Sequence, residues 1–201
     1  MIGNYNELTI RQFLECKTIA DLEEDPIERN VKMLASITGK SQDEIEELPI
    51  EDLKKQLENF SKIEKLNPNE KLKLNFKIKG KRFSTIWKTQ ELTAAQYIDA
   101  CHFCKDPNSI LNNIHNILAS ICVERSILGK TKPYNSLKHK EHSDLFYNEM
   151  KIKDAYPIML FFCRYFKELE TNILTFLEEE SNKMIEKHKE VLASGGAMLQ
   201  P

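Results

Sequence analysis

The chain has 201 residues, of which 41% are hydrophobic and 30% charged, with only six Gly and seven Pro. That composition excludes a low-complexity or disordered polymer, and the length suits one medium domain or two small ones around a real core. A net charge of −2 excludes a global field that would recruit DNA or a membrane surface.

The charge is nonetheless uneven. Residues 1–60 carry 7 basic and 14 acidic side chains, residues 61–140 carry 15 and 6, and residues 141–201 carry 7 and 11. An acidic head, a basic middle and an acidic end can pack on one another or present faces of opposite sign to partners. The opening Met1-Ile2-Gly3-Asn4-Tyr5-Asn6-Glu7 lacks a basic segment followed by an apolar one, so no signal peptide is expected. The longest apolar run, Ala155 to Cys163, falls well short of the roughly 20 residues that span a bilayer, so it reads as a buried helix. Five scattered cysteines, Cys16, Cys101, Cys104, Cys122 and Cys163, do not form a secreted disulfide pattern and suggest a reducing cytoplasm.

In chain order, the first sixty residues read as short capped helices. Thr9 with Gln12 is a capping-box spacing, with Ile10, Phe13 and Leu14 behind it. Asp25-Pro26 with Glu28 predicts a second start, because Asp accepts from free N–H groups and Pro suits the first helical position. Ile27, Val31, Leu34 and Ile37 follow at helical spacing until Gly39. Ser41 with Glu44 repeats the box, and Pro49 opens a turn carrying Leu53, Leu57 and Phe60.

Asn67-Pro68-Asn69 marks a break, after which the period changes to two. Leu72, Leu74, Phe76 and Ile78 alternate with Lys71, Lys73, Asn75, Lys77 and Lys79, the pattern of a half-buried strand. Lys79-Gly80-Lys81 predicts a tight turn, and Arg82 to Trp87 a returning strand with Phe83, Thr85 and Trp87 on one face. A lone hairpin is marginal in water, so its apolar face must lie on helices or join another sheet. Thr93 with Gln96 predicts a helix over Ala94 to Phe103, and Asp106-Pro107 another, with Ile110, Leu111, Ile114, Ile117, Leu118 and Ile121 as its stripe. Gly129 to Ser136 reads as a loop, and a short helix is expected after Ser143, with Leu145, Phe146 and Met150. The last element, Asp154 to about Leu192, reads as one long helix, apolar nearly all round in its first half and thinner after Glu178-Glu179-Glu180.

The expected architecture is therefore mainly α (α+β): a helical bundle-like body, one antiparallel β-hairpin and a long C-terminal helix. Three regions follow: an acidic region of short capped helices over 1–66, the hairpin with core helices over 67–182, and a helix extension with a tail over 183–201.

Cys101-His102-Phe103-Cys104, with His139 and His142 downstream, supplies the residue types of a tetrahedral zinc site. The spacing does not suit one: two residues separate the histidines, 34 separate the halves, and the cysteines fall on a predicted helix. Two small residues on a helix is the simpler reading. The lysines of the hairpin, with Arg82, Lys88, Phe83 and Trp87, could contact phosphates and bases, but whole-domain basicity is lacking. A solvated edge, or docking on an acidic protein surface such as this chain's own first sixty residues, explains them as well. Paired carboxylates such as Glu23-Glu24 and Glu46-Glu47 read as solvated helix faces, and His115 as a helix-surface or core residue. No phosphate loop, G-x-S-x-G or H-E-x-x-H occurs. No catalytic, cofactor-binding or metal-binding residues are assigned, and the chain is not expected to be an enzyme.

Several stretches resemble a family of small proteins of Bacteroidetes phages described as tail-assembly-chaperone-like. They are Leu8-Thr9-Ile10; Asp25-Pro26-Ile27-Glu28 with Met33 to Lys40; Glu46-Glu47-Leu48-Pro49; the hairpin Phe76 to Phe83; Leu92 to Asp99; and Ala155 to Phe162. The resemblance spans roughly Leu8 to Leu177. It implies a non-enzymatic morphogenesis protein of the host cytoplasm that binds tape-measure or tail-tube proteins through helical apolar surfaces. Cys101, Cys104 and the extension from Glu178 do not match the family pattern. They leave open a structural virion subunit, such as a head–tail connector or ring that self-assembles, and a nucleic-acid-binding or zinc-stabilised accessory protein.

Overall fold

The computed structural model describes residues 7–61, 72–88, 91–106 and 108–167. The break at Asn67-Pro68-Asn69, Lys71, Pro107, the side chains of Leu57 and Phe60, and the extension from Glu178 lie outside the described residues. The chain is mainly α with one small antiparallel sheet. The described residues up to Phe161 form one compact unit and a second begins at Phe162.

Helix α1 (Ile10–Leu22) starts where the sequence places it. The Thr9 side chain accepts from Gln12 N–H while Gln12 reaches back to Thr9 N–H. Helix α2 (Pro26–Thr38) is capped by Asp25, whose carboxylate accepts from the N–H groups of Ile27 and Glu28 at 2.8 and 2.9 Å. The expected box is incomplete there. Glu28 bonds Lys32 one turn on, and Asp25 N–H goes instead to Glu23. Gly39 ends α2 at φ +71°, a conformation that costs glycine nothing. Helix α3 (Gln42–Glu46) carries the Ser41–Glu44 box, and α4 (Ile50–Ser61) follows. Val31, Leu34 and Ile45 form a small core joining α2 to α3, with Leu53 of α4 against it.

Strands β1 (Asn75–Ile78) and β2 (Lys81–Thr85) pair in antiparallel register around Lys79-Gly80. Both turn residues have positive φ, +46° and +83°, as a two-residue turn that follows the strand twist requires. The strands are shorter than the alternation predicts. Leu74 is exposed before β1, and Trp87 lies beyond β2 and is 47% exposed. A third strand, β3 (Cys122–Arg125), pairs with β2 so that Phe83 faces Glu124 and Thr85 faces Cys122. The hairpin is thus the outer part of a three-stranded sheet in the order β1-β2-β3.

Helix α5 (Ala94–Cys104) opens with the Thr93–Gln96 box. The start predicted at Asp106 is corrected. Asp106 accepts from Asn108 N–H and Ser109 N–H in a turn, and α6 (Ile114–Ile121) begins only at Ile114. Ser109 and Asn113 side chains bond locally across this stretch, and such bonds compete with helix. Helix α6 runs directly into β3. After a 3-10 turn (Ser136–Lys138), α7 (His139–Glu149) starts before Ser143, earlier than predicted, and Ser143 is buried within it. Helix α8, described over 152–167, follows Met150. Leu8 and Ile10 clip the start of α1 to the α7–α8 junction: Ile10 N–H donates to Met150 C=O, and Ile152 N–H to Leu8 C=O. In the second unit, the Phe162 and Phe166 rings lie 5.8 Å apart on one helix.

The centre of the first unit is Phe83. It is fully buried among Phe76 (5.7 Å between ring centres), Phe146 (4.9 Å) and His142 (5.3 Å). The hairpin lysines meet acids outside the first sixty residues: Lys73 pairs with Asp154, Lys79 with Glu149, and Lys81 with Glu141. Exposed pairs of this kind contribute about 0–1 kcal/mol each, so they orient the sheet on α7 and α8 more than they stabilise it. Among the described residues, no helix is long and apolar enough to cross a membrane.

Candidate functional site

Four helices leave a cleft of about 580 Å³ between them. Leu14, Glu15, Thr18 and Ile19 line it from α1, at spacings that share one helix face. Ser36 of α2, Asn112 before α6, His115 of α6 and Tyr147 of α7 complete the wall. The hydrophobic stripes of these helices point into the core, so the cleft is built from the shoulders of those stripes. Its polar groups sit beside apolar ones for that reason.

Glu15 accepts a 2.6 Å bond from Ser36 Oγ, which joins α1 to α2 at the cleft wall. Thr18 is turned inward on its own helix and donates to Leu14 C=O. The His115 and Tyr147 rings lie 4.9 Å apart, and His115 Nδ1 is buried with no hydrogen-bond partner. Burial holds the imidazole below its ordinary pKa, against the opposing pull of Asp144, so it is neutral at pH 7. Burial and the neighbouring Glu15 push the Tyr147 phenol up. Behind the wall, burial and then Glu15 push the Cys16 thiol up to about 12, so it is no nucleophile. The cleft can seat an apolar side chain against Leu14 and Ile19 and offer the Tyr147 phenol, beside a neutral imidazole, to one polar group.

The other sequence candidates are spread through the fold. Cys101 and Cys104 are half-buried on α5. His139 stacks on Phe103, with rings 5.4 Å apart and 10° from parallel. Its Nε2 lies 3.0 Å from both Ser120 Oγ and Asn116 C=O. A carbonyl only accepts, so that nitrogen carries the proton and offers no lone pair to a metal. His142 lies edge-on to Phe83, its Nε2 3.9 Å from Glu124 and without a hydrogen bond. Among the described residues, no three His, Cys, Asp or Glu side chains gather closely enough to hold a metal ion. Of the aromatic residues proposed to stack on bases, Phe83 is buried, while Trp87 carries Lys88 over its ring at 4.8 Å.

Glu15, Ser36, Asn112 and Tyr147 have no sequence signal of their own, because the cleft is assembled from four separate segments. His115 on the shoulder of the α6 stripe is the one residue whose position hints at it. Comparison with protein-family models, with curated proteins and with solved structures found no match for this chain.

Proposed function

We propose that this chain is a non-enzymatic phage morphogenesis protein of the tail-assembly-chaperone kind, which holds a tape-measure or tail-tube client through helical apolar surfaces. Two things support the reading: the ordered resemblance from Leu8 to Leu177, and the cleft between α1, α2, α6 and α7. The cleft carries the argument on the structural side. A helical client presents apolar anchors at i, i+3 and i+4, and a slot walled by Leu14 and Ile19 accepts one such anchor. The Tyr147 phenol on the same wall, beside the neutral His115 ring, can bond a polar group that accompanies the anchor.

The second reading is a structural virion subunit. Exposed Ile127 and Leu128, 90% and 88% accessible on a clamped turn, favour it because a retained subunit needs permanent contact surfaces. Mass spectrometry of purified virions beside infected-cell lysate separates the two. Abundance in lysate with absence from virions is the expected result. Stoichiometric presence in virions replaces the chaperone reading with the structural one, and absence from both removes the phage reading.

A further inference from the structure

Two surface corners of the first unit each display a pair of aliphatic side chains, and their charges are opposite. The first is the turn after β3. Ile127 and Leu128 stand at its tip, 90% and 88% exposed. The turn is held firmly: Gly129 N–H donates to Ser126 C=O, Ser126 N–H to Lys130 C=O, and Gly129 takes φ +80°. Arg125 donates through Nε and Nη2 to Gly129 C=O at 2.9 and 2.6 Å, and through Nη1 to Asn75. Arg82 reaches Ile127 C=O. The tip is therefore an ordered apolar knob flanked by Arg82, Arg125 and Lys130.

The second corner joins α1 to α2. Leu22, the last residue of α1, is 77% exposed, and Ile27, near the start of α2, is 70% exposed. Five acids, Asp21, Glu23, Glu24, Asp25 and Glu28, surround them against three bases, Lys17, Arg29 and Lys32, a net of −2 over residues 17–32, with Lys17 paired to Asp21. This corner is also fixed, since Asp25 caps α2 and Lys32 bonds both Glu23 and Glu28. Because both pairs face solvent in the same chain, neither covers the other. Ordered tips lose little side-chain and loop freedom when they dock, and opposite charge around each selects one for the other.

We propose that the basic Ile127-Leu128 knob of one copy docks on the acidic Leu22-Ile27 corner of a second copy. The two surfaces differ, so the contact is head-to-tail and each added copy leaves one free knob and one free corner. Such contacts build a ring if the rotation closes and a filament if it does not. A contact of this small size is weak singly, with Kd on the order of 0.1–1 mM, and gains from closure or from high local concentration. The same knob favours the structural-subunit reading above, but the contact rests on exposure and charge alone, so its failure in solution leaves the virion test untouched.

The test uses the full chain and two surface variants, knob-dead Ile127→Asp/Leu128→Asp and corner-dead Leu22→Asp/Ile27→Asp, both checked for native circular dichroism. Sedimentation velocity from roughly 10 µM to 1 mM should show the unmodified chain growing beyond a dimer, while each variant alone stays monomeric. An equimolar mixture of the two variants should form a one-to-one dimer and nothing larger, because only one intact knob–corner pair remains. An unmodified chain that stays monomeric, oligomers indifferent to both variants, or a mixture that stays monomeric would each overturn the proposal. So would a monomeric chain that binds phosphatidylserine vesicles through the knob, which would assign that surface to lipid.

Discussion

Gln96 and Ser120 are joined by a buried hydrogen bond, the Gln96 Nε2 donating to the Ser120 carbonyl at 2.9 Å. The same amide's oxygen accepts from Thr93 N–H and completes the cap of α5. Gln12 repeats the arrangement in α1: its oxygen accepts from Thr9 N–H and its nitrogen donates to Ile37 C=O at 2.9 Å. The third capping box uses Glu44, which is exposed and has no carbonyl to serve. Glutamine at the first two sites is thus set by tertiary packing, since only an amide can accept at the cap and donate across to a second element.

Replacing Gln96 with Glu keeps the cap but turns the donor into an oxygen facing a carbonyl in a site 1% exposed. Loss of a buried bond partner costs about 1–3 kcal/mol, so urea denaturation of Gln96→Glu at pH 7 should show a loss in that range. Burial raises the new carboxyl's pKa above its unfolded value. The penalty should therefore grow as pH rises through that folded pKa and shrink towards pH 4, where the protonated acid can donate again. A variant as stable as the parent at pH 7 would show that the bond to Ser120 contributes nothing.

Phe83→Ala should be the most damaging single change in the sheet. The ring is fully buried against Phe76, Phe146 and His142, and truncations of this kind cost about 3–5 kcal/mol. Thermal unfolding gives the measurement. A loss below about 1 kcal/mol would mean that the hairpin does not seat on α7 through this residue.

That residue also shows where sequence reading succeeds and stops. The alternation in Leu72 to Ile78 and the Gly80 turn locate a hairpin, because strand period and turn chemistry are local. The same alternation cannot say whether Phe83 meets a base or a core, since that depends on α7. β3 was missed for a related reason. Cys122 and Val123 extend the apolar run of α6, and four residues are too few for a period to show. The capping boxes at Thr9, Ser41 and Thr93 were legible because each lies within four residues. Asp106 failed as a helix start because the neighbouring Ser109 and Asn113 bonds favour a turn. Apart from His115 on the shoulder of the α6 stripe, the cleft was not legible, its walls being contributed by residues from Leu14 to Tyr147.

Gly39 isolates the cost of a left-handed helix end. A Cβ built there meets nothing within 4 Å, so only the backbone at φ +71° opposes substitution. Gly39→Ala should lose about 1–2 kcal/mol, and Gly39→Asn less. Equal stability of the alanine variant would require α2 to end in another way.

Two histidines, His115 half-buried and His142 buried, should make the fold sensitive to mild acid. Burial lowers the pKa of both His115 and His142 in the folded chain. The unfolded chain then binds protons first as pH falls below about 6.5, so stability drops from there until the folded pKa values are passed. Carboxylates such as Glu124, held low by Lys132, act only at lower pH, which leaves the range from about pH 6.5 to 5 to the histidines. Denaturant midpoints across that range should fall for the parent chain and less steeply for His115→Phe and His142→Phe. Unchanged slopes in both variants would assign the acid sensitivity elsewhere.

Ile19→Arg tests the cleft directly. Ile19 is half-buried on its wall, so a long charged side chain there can reach water while filling the space an apolar anchor would occupy. Tape-measure or tail-tube protein co-expressed with this variant should be captured at least about tenfold less well, corresponding to about 1.4 kcal/mol. Ile98→Arg is the matched control, since Ile98 is 64% exposed on α5 and does not line the cleft. Loss of capture in Ile19→Arg with Ile98→Arg unaffected places the client in the cleft. Equal capture by both variants moves the client to another surface, and equal loss in both points to general charge rather than to the slot beside His115.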